Sequence, residues 1–76
     1  MDQHFKQLEI LMVSALDQAK PYISGTVYDD VKSFVDHGEY GVGWELLWFA
    51  IQSEKVTPSA DLIECGKRMG FETAKP

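Results

Sequence analysis

Three side chains in the sequence belong to types that carry out catalysis, namely His4, His37 and Cys65. A histidine acts as a general base, and a thiolate as a nucleophile, only when other groups activate them. His4 is expected in the first turn of a helix, and His37 at a helix end, where its simpler role is to cap the helix. Cys65 stands between Ile63 and Met69 on the apolar side of a predicted helix, so we predict a small buried hydrophobe. The sequence therefore predicts no catalytic residue and no enzyme.

Asp36, His37 and Glu39 form a second group whose types are those of metal ligands. One imidazole and two carboxylates spread across a turn would hold a metal in an open, poorly fixed geometry, so solvated surface is the preferred interpretation. The three glycines between residues 38 and 43 follow no predicted strand and match no phosphate-binding spacing. Their expected role is turn formation and close helix approach. We therefore predict neither a metal site nor a cofactor.

Carboxylates are concentrated in the middle of the chain. From Thr26 to Glu54 there are six acids and one base, Lys32, for a net charge of −5, whereas the rest of the chain has six of each sign. Such a field repels nucleic acid and anionic membranes and attracts a basic protein surface. Acidic surfaces also aid solubility, and that alternative stays open. The scarcity of interspersed lysines favours a binding surface, and its predicted partner-binding residues are Asp29, Asp30, Asp36, Glu39 and Glu45.

An aromatic stripe lies next to these acids. Tyr40, Trp44 and Trp48 are spaced four residues apart and therefore share one face of a helix. A domain of this size needs large aromatic side chains in its core, which is the expected place for most of the stripe. Aromatic residues ringed by charge also dominate interfaces. All three are therefore included among the predicted partner-binding residues. Those of the three that stay exposed are expected to contact the partner.

Four predicted helices position these residues. Apolar side chains recur at i, i+3 and i+4 along most of the chain, which is the spacing of a helix face. The third segment is apolar on nearly every side, so its helix is either central to the core or partly reserved for a partner. A strand is the alternative there, because Trp, Phe and Ile favour sheets, but the length and the lack of strict alternation favour a helix. The predicted helices cover, approximately, residues 3–19, 26–37, 40–55 and 58–69.

Capping residues set the predicted ends of two helices. Ser24 or Thr26 is the expected N-cap of the second helix, because both side chains can accept a hydrogen bond from a free backbone N–H. Thr57 is the expected N-cap of the fourth helix, with Pro58 at its first position, where the missing N–H costs nothing. After the fourth helix, Phe71 is expected to pack back onto the last turn in a Schellman motif.

Composition limits the class of protein. A chain of 76 residues makes one domain, and 45% hydrophobic with 25% charged residues is the usual balance of a globular protein. The predicted fold class is all-α, a compact bundle of four short helices over residues 1–76. One cysteine excludes an internal disulfide, and no apolar stretch approaches 18 residues. We therefore expect a soluble protein of the cytoplasm that does not bind membranes.

The run from Phe34 to Leu47, FVDHGEYGVGWELL, carries a resemblance to a known family. Within Val31–Ala50 the chain resembles the MafI family of immunity proteins and related immunity proteins of contact-dependent growth inhibition. The signature of these families is similar to this run. It consists of a helix ending in a His-Gly-Glu-Tyr-Gly turn, then a helix that opens with small residues followed by Glu-Leu-Leu. The likeness covers about the middle third of the chain, and it extends to the total length, the helical content and the Met69-Gly70-Phe71 ending. Carried over residue by residue, the signature turn is Gly38, Glu39, Tyr40 and Gly41, and the core residues are Leu46 and Leu47.

The sequence departs from the family pattern at three positions. At Gly43 an alanine would be more usual, and Trp44 and Trp48 are not part of the signature. The signature residues are expected to maintain the fold and not to touch a partner, so the resemblance does not locate the interface.

The resemblance implies a protein that binds the C-terminal nuclease domain of a cognate toxin and covers its active site. The acidity agrees independently, because a nuclease needs a basic cleft and a strip of carboxylates can occupy that cleft as a phosphate mimic. The predicted partner is thus a toxin with a basic active-site cleft, bound by a monomer or by a weak homodimer. The alternative is a small regulatory or scaffold domain that dimerises through its third helix. A DNA-binding helix-turn-helix protein fits the helix count but not the charge.

Overall fold

The computed structural model describes residues 3–73, which form four α-helices joined by short connections. The predicted all-α, four-helix architecture is confirmed, and residues 3–73 contain no strand. Within the same residues, every helix is too short or too polar to cross a membrane. The helices are α1 (Gln3–Ala19), α2 (Gly25–Asp36), α3 (Tyr40–Ser53) and α4 (Ala60–Arg68), with a 3₁₀ turn at Lys20–Tyr22 between α1 and α2.

Helix α1 forms one wall of the core, and its bounds are those predicted. It ends at Ala19 because Pro21 has no backbone N–H and disfavours helical geometry at Lys20. The chain therefore tightens into the 3₁₀ turn before α2 begins. The buried side chains of α1 follow the helical period and are Leu8, Met12, Ala15, Leu16 and Ala19.

Helix α2 is capped at both ends by the residues that the sequence indicates. The Ser24 side chain accepts a hydrogen bond of 3.1 Å from the backbone N–H of Val27, so Ser24 is the N-cap and the alternative, Thr26, lies within the helix. At the other end Gly38 has a φ of +75°, a conformation that glycine adopts without a side-chain clash. The N–H of Glu39 then donates to the carbonyl of Phe34 at 2.8 Å, which completes a Schellman motif.

Helix α3 packs against each of the other three helices, and its helical structure confirms the helix prediction for this segment over the strand. Its buried side is formed by Gly43, Trp44, Leu47 and Ile51. The helix ends at Ser53, two residues before the predicted end, because the next turn closes in another Schellman arrangement. Lys55 occupies the left-handed position of that turn, with a φ of 58°, where a non-glycine residue costs about 1 kcal/mol.

Helix α4 begins two residues later than predicted. The expected cap, Thr57, is wrong: the Ser59 side chain accepts from the backbone N–H of Leu62 at 3.2 Å, and the first helical residue is Ala60. This start leaves Pro58 buried in the preceding segment and places Asp61 in the first turn, where a carboxylate is favourable at the positive helix end.

The C-terminal end of α4 closes as expected. Gly70 has a φ of +82°, and the N–H of Phe71 donates to the carbonyl of Gly66 at 2.9 Å in a Schellman motif. The ring of Phe71 packs back on the core and stacks on the indole of Trp44, with ring centroids 4.8 Å apart.

One core joins all four helices. Helix α1 contacts each of the other three, and α2 packs along α3. A polar link also ties α1 to α4, because the Ser14 hydroxyl donates to the Asp61 carboxylate at 2.5 Å. The largest side chains with almost no exposed surface are Met12, Val31, Leu47, Leu62 and Cys65.

Candidate protein-binding surface

Two of the three catalytic candidates of the sequence, Cys65 and His37, occupy structural positions, whereas His4 lies exposed in the first turn of α1. Cys65 is fully buried, as predicted, and burial raises the pKa of its thiol from 9.0 to about 11 although the nearby Arg68 acts in the opposite direction. At neutral pH the side chain is therefore a protonated thiol inside the core. The ring of His37 lies 2.7 Å, through Nδ1, from the carbonyl oxygen of Ser33 at the end of α2, which confirms its capping role. Residues 3–73 contain no group of three metal-ligating side chains close enough to share an ion.

The five carboxylates of the predicted surface are all exposed, and we call them the acidic surface: Asp29, Asp30, Asp36, Glu39 and Glu45. They come from α2, from the turn after it and from the outer side of α3. The structure thus spreads them over two adjacent helices and the connection between them.

Helix geometry divides the α2 carboxylates between two sides. Asp29 and Asp36 are seven residues apart and share the outer side of α2. Asp30 lies three residues after Val27 and four before Phe34, and both of these face α3: Val27 borders a groove with α3, and Phe34 lies against Gly43. Asp30 is therefore on the edge of α2 that borders α3.

Two bases lie close to the acidic surface. The Lys32 ammonium pairs with the Asp36 carboxylate at 3.3 Å, one helical turn away, and both side chains are exposed. Such a pair contributes only about 0.3–0.5 kcal/mol, but it partly neutralises Asp36. Lys20 lies over the ring of Tyr28, 5.2 Å from its centroid, and borders the same depression as Asp29. Asp30, Glu39 and Glu45 make no ion pair with any residue of the described range.

Glu39 is placed at the start of α3. It is the N-cap residue of that helix, but its side chain makes no capping hydrogen bond. A carboxylate at this end of a helix is favoured by the macrodipole, by about 0.3–1 kcal/mol. Because the carboxylate is exposed and does not cap the helix, it remains available to a partner.

The prediction that Trp44 contacts a partner is corrected by its burial. Its side chain is only 3% exposed, and its indole N–H donates to the carbonyl of Leu62 at 2.8 Å. The Trp44 indole stacks with the ring of Trp48, with centroids 4.9 Å apart, and with the ring of Phe71, with centroids 4.8 Å apart. Trp44 is thus a core residue, because a domain this small needs its largest side chain inside. Tyr40 and Trp48 are partly buried against the core and keep some exposed surface.

Sequence reasoning missed the most exposed hydrophobic residues of α3. Phe49 is 71% exposed and Val42 is 48% exposed, and Leu46 between them is only partly buried. The resemblance implied that Leu46 and Leu47 both lie in the core. Leu47 does, with no exposed surface, whereas Leu46 borders the groove between α2 and α3.

A signal for these residues is present in the sequence. Glu45 is the only charged residue between Tyr40 and Ser53, so it marks the side of α3 that faces water. Val42 lies three residues before it and Phe49 four residues after it, which places both on that side. We call Val42, Glu45, Leu46 and Phe49 the outer face of α3.

Helix α1 has an exposed apolar pair of its own. Ile10 is 58% exposed and Val13 is 48% exposed, and they share the outer side of α1 with the exposed carboxylates of Glu9 and Asp17. This side belongs to a part of the chain whose charges balance. It therefore provides a matched surface against which the outer face of α3 can be compared.

Comparison of the chain with models of protein families, with curated proteins and with solved structures finds no match. The functional argument therefore depends on the surface just described: exposed carboxylates on α2, on the following turn and on α3, beside an exposed apolar face.

Proposed function

We propose that this chain is an immunity protein that binds and neutralises a cognate toxin, through the acidic surface and the adjoining outer face of α3. The toxin domain is a nuclease with a basic active-site cleft. The observation that carries the proposal is the local excess of exposed carboxylates, of which Asp30, Glu39 and Glu45 have no ion-pair partner among the described residues.

The physical chemistry of a nuclease makes it a suitable partner. A cleft that binds phosphates carries arginine and lysine side chains, which form strong hydrogen bonds to carboxylates as well as to phosphates. Long-range attraction between opposite charges accelerates association and makes it sensitive to salt. The resemblance of Val31–Ala50 to MafI immunity proteins supports the same function.

A growth assay tests the proposal. The C-terminal domain of every large exported protein found encoded beside this chain is expressed in a bacterial host, with and without the chain. We expect one of them to arrest growth and the chain to restore it. The double variant Asp29→Lys, Asp30→Lys should lose most of the rescue, and its affinity for the toxin domain should fall at least about tenfold at low salt and less at high salt.

The matched control reverses two charges on a different helix, α1. Glu9→Lys with Asp17→Lys makes the same change in net charge on the outer side of α1 and should leave the rescue intact. The proposal is wrong if the chain relieves the toxicity of none of these domains, or if the two double variants rescue equally well.

The second candidate is a small regulatory or scaffold domain that dimerises through α3. The exposure of Phe49 and Val42 favours it, because large exposed apolar side chains mark interaction surfaces. Sedimentation of the purified chain separates the two functions: a stable dimer in the absence of any toxin supports the scaffold.

A further inference from the structure

The outer face of α3 continues into a groove beside α2. The groove has a volume of about 290 Å³, and its apolar lining consists of Ile23, Val27, Leu46, Phe49 and Ala50. This volume is at the lower end of the range for pockets that enclose small molecules, about 300–1,000 Å³. The groove is large enough for one or two side chains that protrude from a partner.

The apolar residues of α3 that border this region follow a helical repeat. Val42, Leu46 and Phe49 are at i, i+4 and i+7, so they extend over about 10 Å along one side of the helix. This is the length covered by two turns of a helix laid against it. Recognition of an amphipathic helix by a groove uses anchors with this spacing.

Acidic side chains predominate around the groove, although Lys20 borders the adjoining depression and Lys55 follows Glu54 in the chain. Glu45 lies within the outer face, Glu54 borders the groove at the end of α3, and Asp30 is on the edge of α2 that faces α3. The groove lining, which falls within residues 23–54, includes no lysine or arginine. An occupant with basic residues at its edges is therefore favoured over a neutral or acidic one.

The same charges disfavour a second copy of this chain. In a two-fold dimer with parallel α3 helices, each residue meets its own equivalent, so Glu45 faces Glu45. Two antiparallel α3 helices could instead meet midway between Val42 and Phe49. The two-fold axis would then pass close to Glu45, so the two Glu45 side chains would again face each other. The one base between Thr26 and Glu54, Lys32, lies on α2 and is paired there with Asp36.

We infer that the groove between α2 and α3 binds an amphipathic helical segment of a partner protein. Its apolar side chains pack on Phe49 and enter the groove, and its flanking lysines or arginines pair with Glu45 and Glu54. The inference deepens the proposed function and rests on it for the identity of the partner as a basic toxin domain. Phe49 is the expected anchor, because it is the most exposed large hydrophobic residue of the described chain.

A displayed library of helical peptides tests this chemistry without any toxin. One side of the peptide varies among apolar and small residues, and the flanking positions vary among Lys, Arg, Glu, Gln and Ser. We expect selection on the wild-type chain to enrich apolar residues at i, i+3 or i+4, and i+7, flanked by Lys or Arg. Phe49→Ser should weaken the selected peptides at least about tenfold. Glu45→Gln should weaken them by about two- to fivefold at low salt, and by less at high salt.

The control variant is Ile10→Ser, which removes another exposed large hydrophobic residue, this one from α1, and should leave peptide binding unchanged. The inference fails if selected peptides carry no excess of basic residues, if they bind Phe49→Ser as well as the wild type, or if Phe49→Ser dissolves a dimer of the free chain. The peptides are selected without a toxin, so this test does not depend on the growth assay. Either test can fail while the other succeeds, and failure of the proposed function is therefore distinguishable from failure of this inference.

Discussion

The two sides of α3 both carry large hydrophobic side chains, but one side is buried in the core and the other is exposed to water. The inner side carries Trp44, Leu47 and Ile51, each at most 3% exposed, and it joins the helices into one core. The outer side carries Val42 and Phe49, which remain largely in water beside Glu45. The comparison teaches that an apolar helix can stabilise the core with one side and expose large hydrophobic side chains on the other. Substitutions on the two sides should therefore act on different properties.

The largest expected difference is between Leu47→Ala and Phe49→Ala. Leu47 has no exposed surface, so truncating it leaves a cavity and should lower the free energy of unfolding by about 2–5 kcal/mol. Phe49 is 71% exposed, and its truncation should change that free energy by less than about 0.5 kcal/mol. Urea denaturation followed by tryptophan fluorescence measures both. A loss for Phe49→Ala as large as that for Leu47→Ala would show that the outer side is also part of the core.

Two glycines, Gly66 in α4 and Gly41 in α3, extend the comparison to substitutions that add a methyl group. A Cβ on Gly66 would lie 2.7 Å from Cε2 of Trp44, and closer still to its Cζ2, so Gly66→Ala must displace the buried indole. Overpacking of this kind costs about 1–3 kcal/mol. A Cβ on Gly41 meets only the Phe71 ring, at 3.5 Å, which is ordinary contact. Gly41→Ala should therefore be neutral or stabilising, by up to about 1 kcal/mol through helix propensity.

Thermal denaturation of the two glycine variants separates a packing effect from a general sensitivity of the fold to added methyl groups. The shift in near-ultraviolet circular dichroism should accompany Gly66→Ala alone, because only there does the indole of Trp44 move. Equal melting temperatures for the two variants would contradict the close approach of α4 to α3 at Gly66.

The fold was largely predictable because helical periodicity and capping residues are local signals. The bounds of α1 and the Schellman ending at Phe71 follow from residues within one or two turns of each other. The start of α4 was not predicted, because Thr57 and Ser59 are both good caps. The choice between them depends on burial of Pro58, which is a tertiary effect.

The candidate surface was predictable for charge but not for aromatic exposure. Exposed positions for Asp30 and Glu39 follow from charge alone, since carboxylates are rarely buried. The identity of the exposed aromatic residue depends on which side of α3 meets α1, α2 and α4, and hydrophobicity cannot reveal that when nearly every side is apolar. The position of Glu45 contains the missing information, yet a pattern of aromatic spacing alone led to Trp44 instead of Phe49.

The smallest expected effect concerns the ionisable group in the core. Burial raises the pKa of the Cys65 thiol to about 11 in the folded chain, above the value of 9.0 that applies when it is exposed. The unfolded state therefore loses this proton first as the pH rises, and the resulting stability is complete below about pH 9 and declines towards pH 11. Between pH 8 and pH 10 the wild type should lose about 1 kcal/mol more than Cys65→Ala, as measured by urea midpoints at the two pH values. Because lysines and tyrosines titrate in both proteins, only the difference between them reports on Cys65. Equal losses of stability in the two proteins would mean that the Cys65 thiol is accessible to water in the folded state. The inner side of the bundle would then have an opening to solvent next to Cys65.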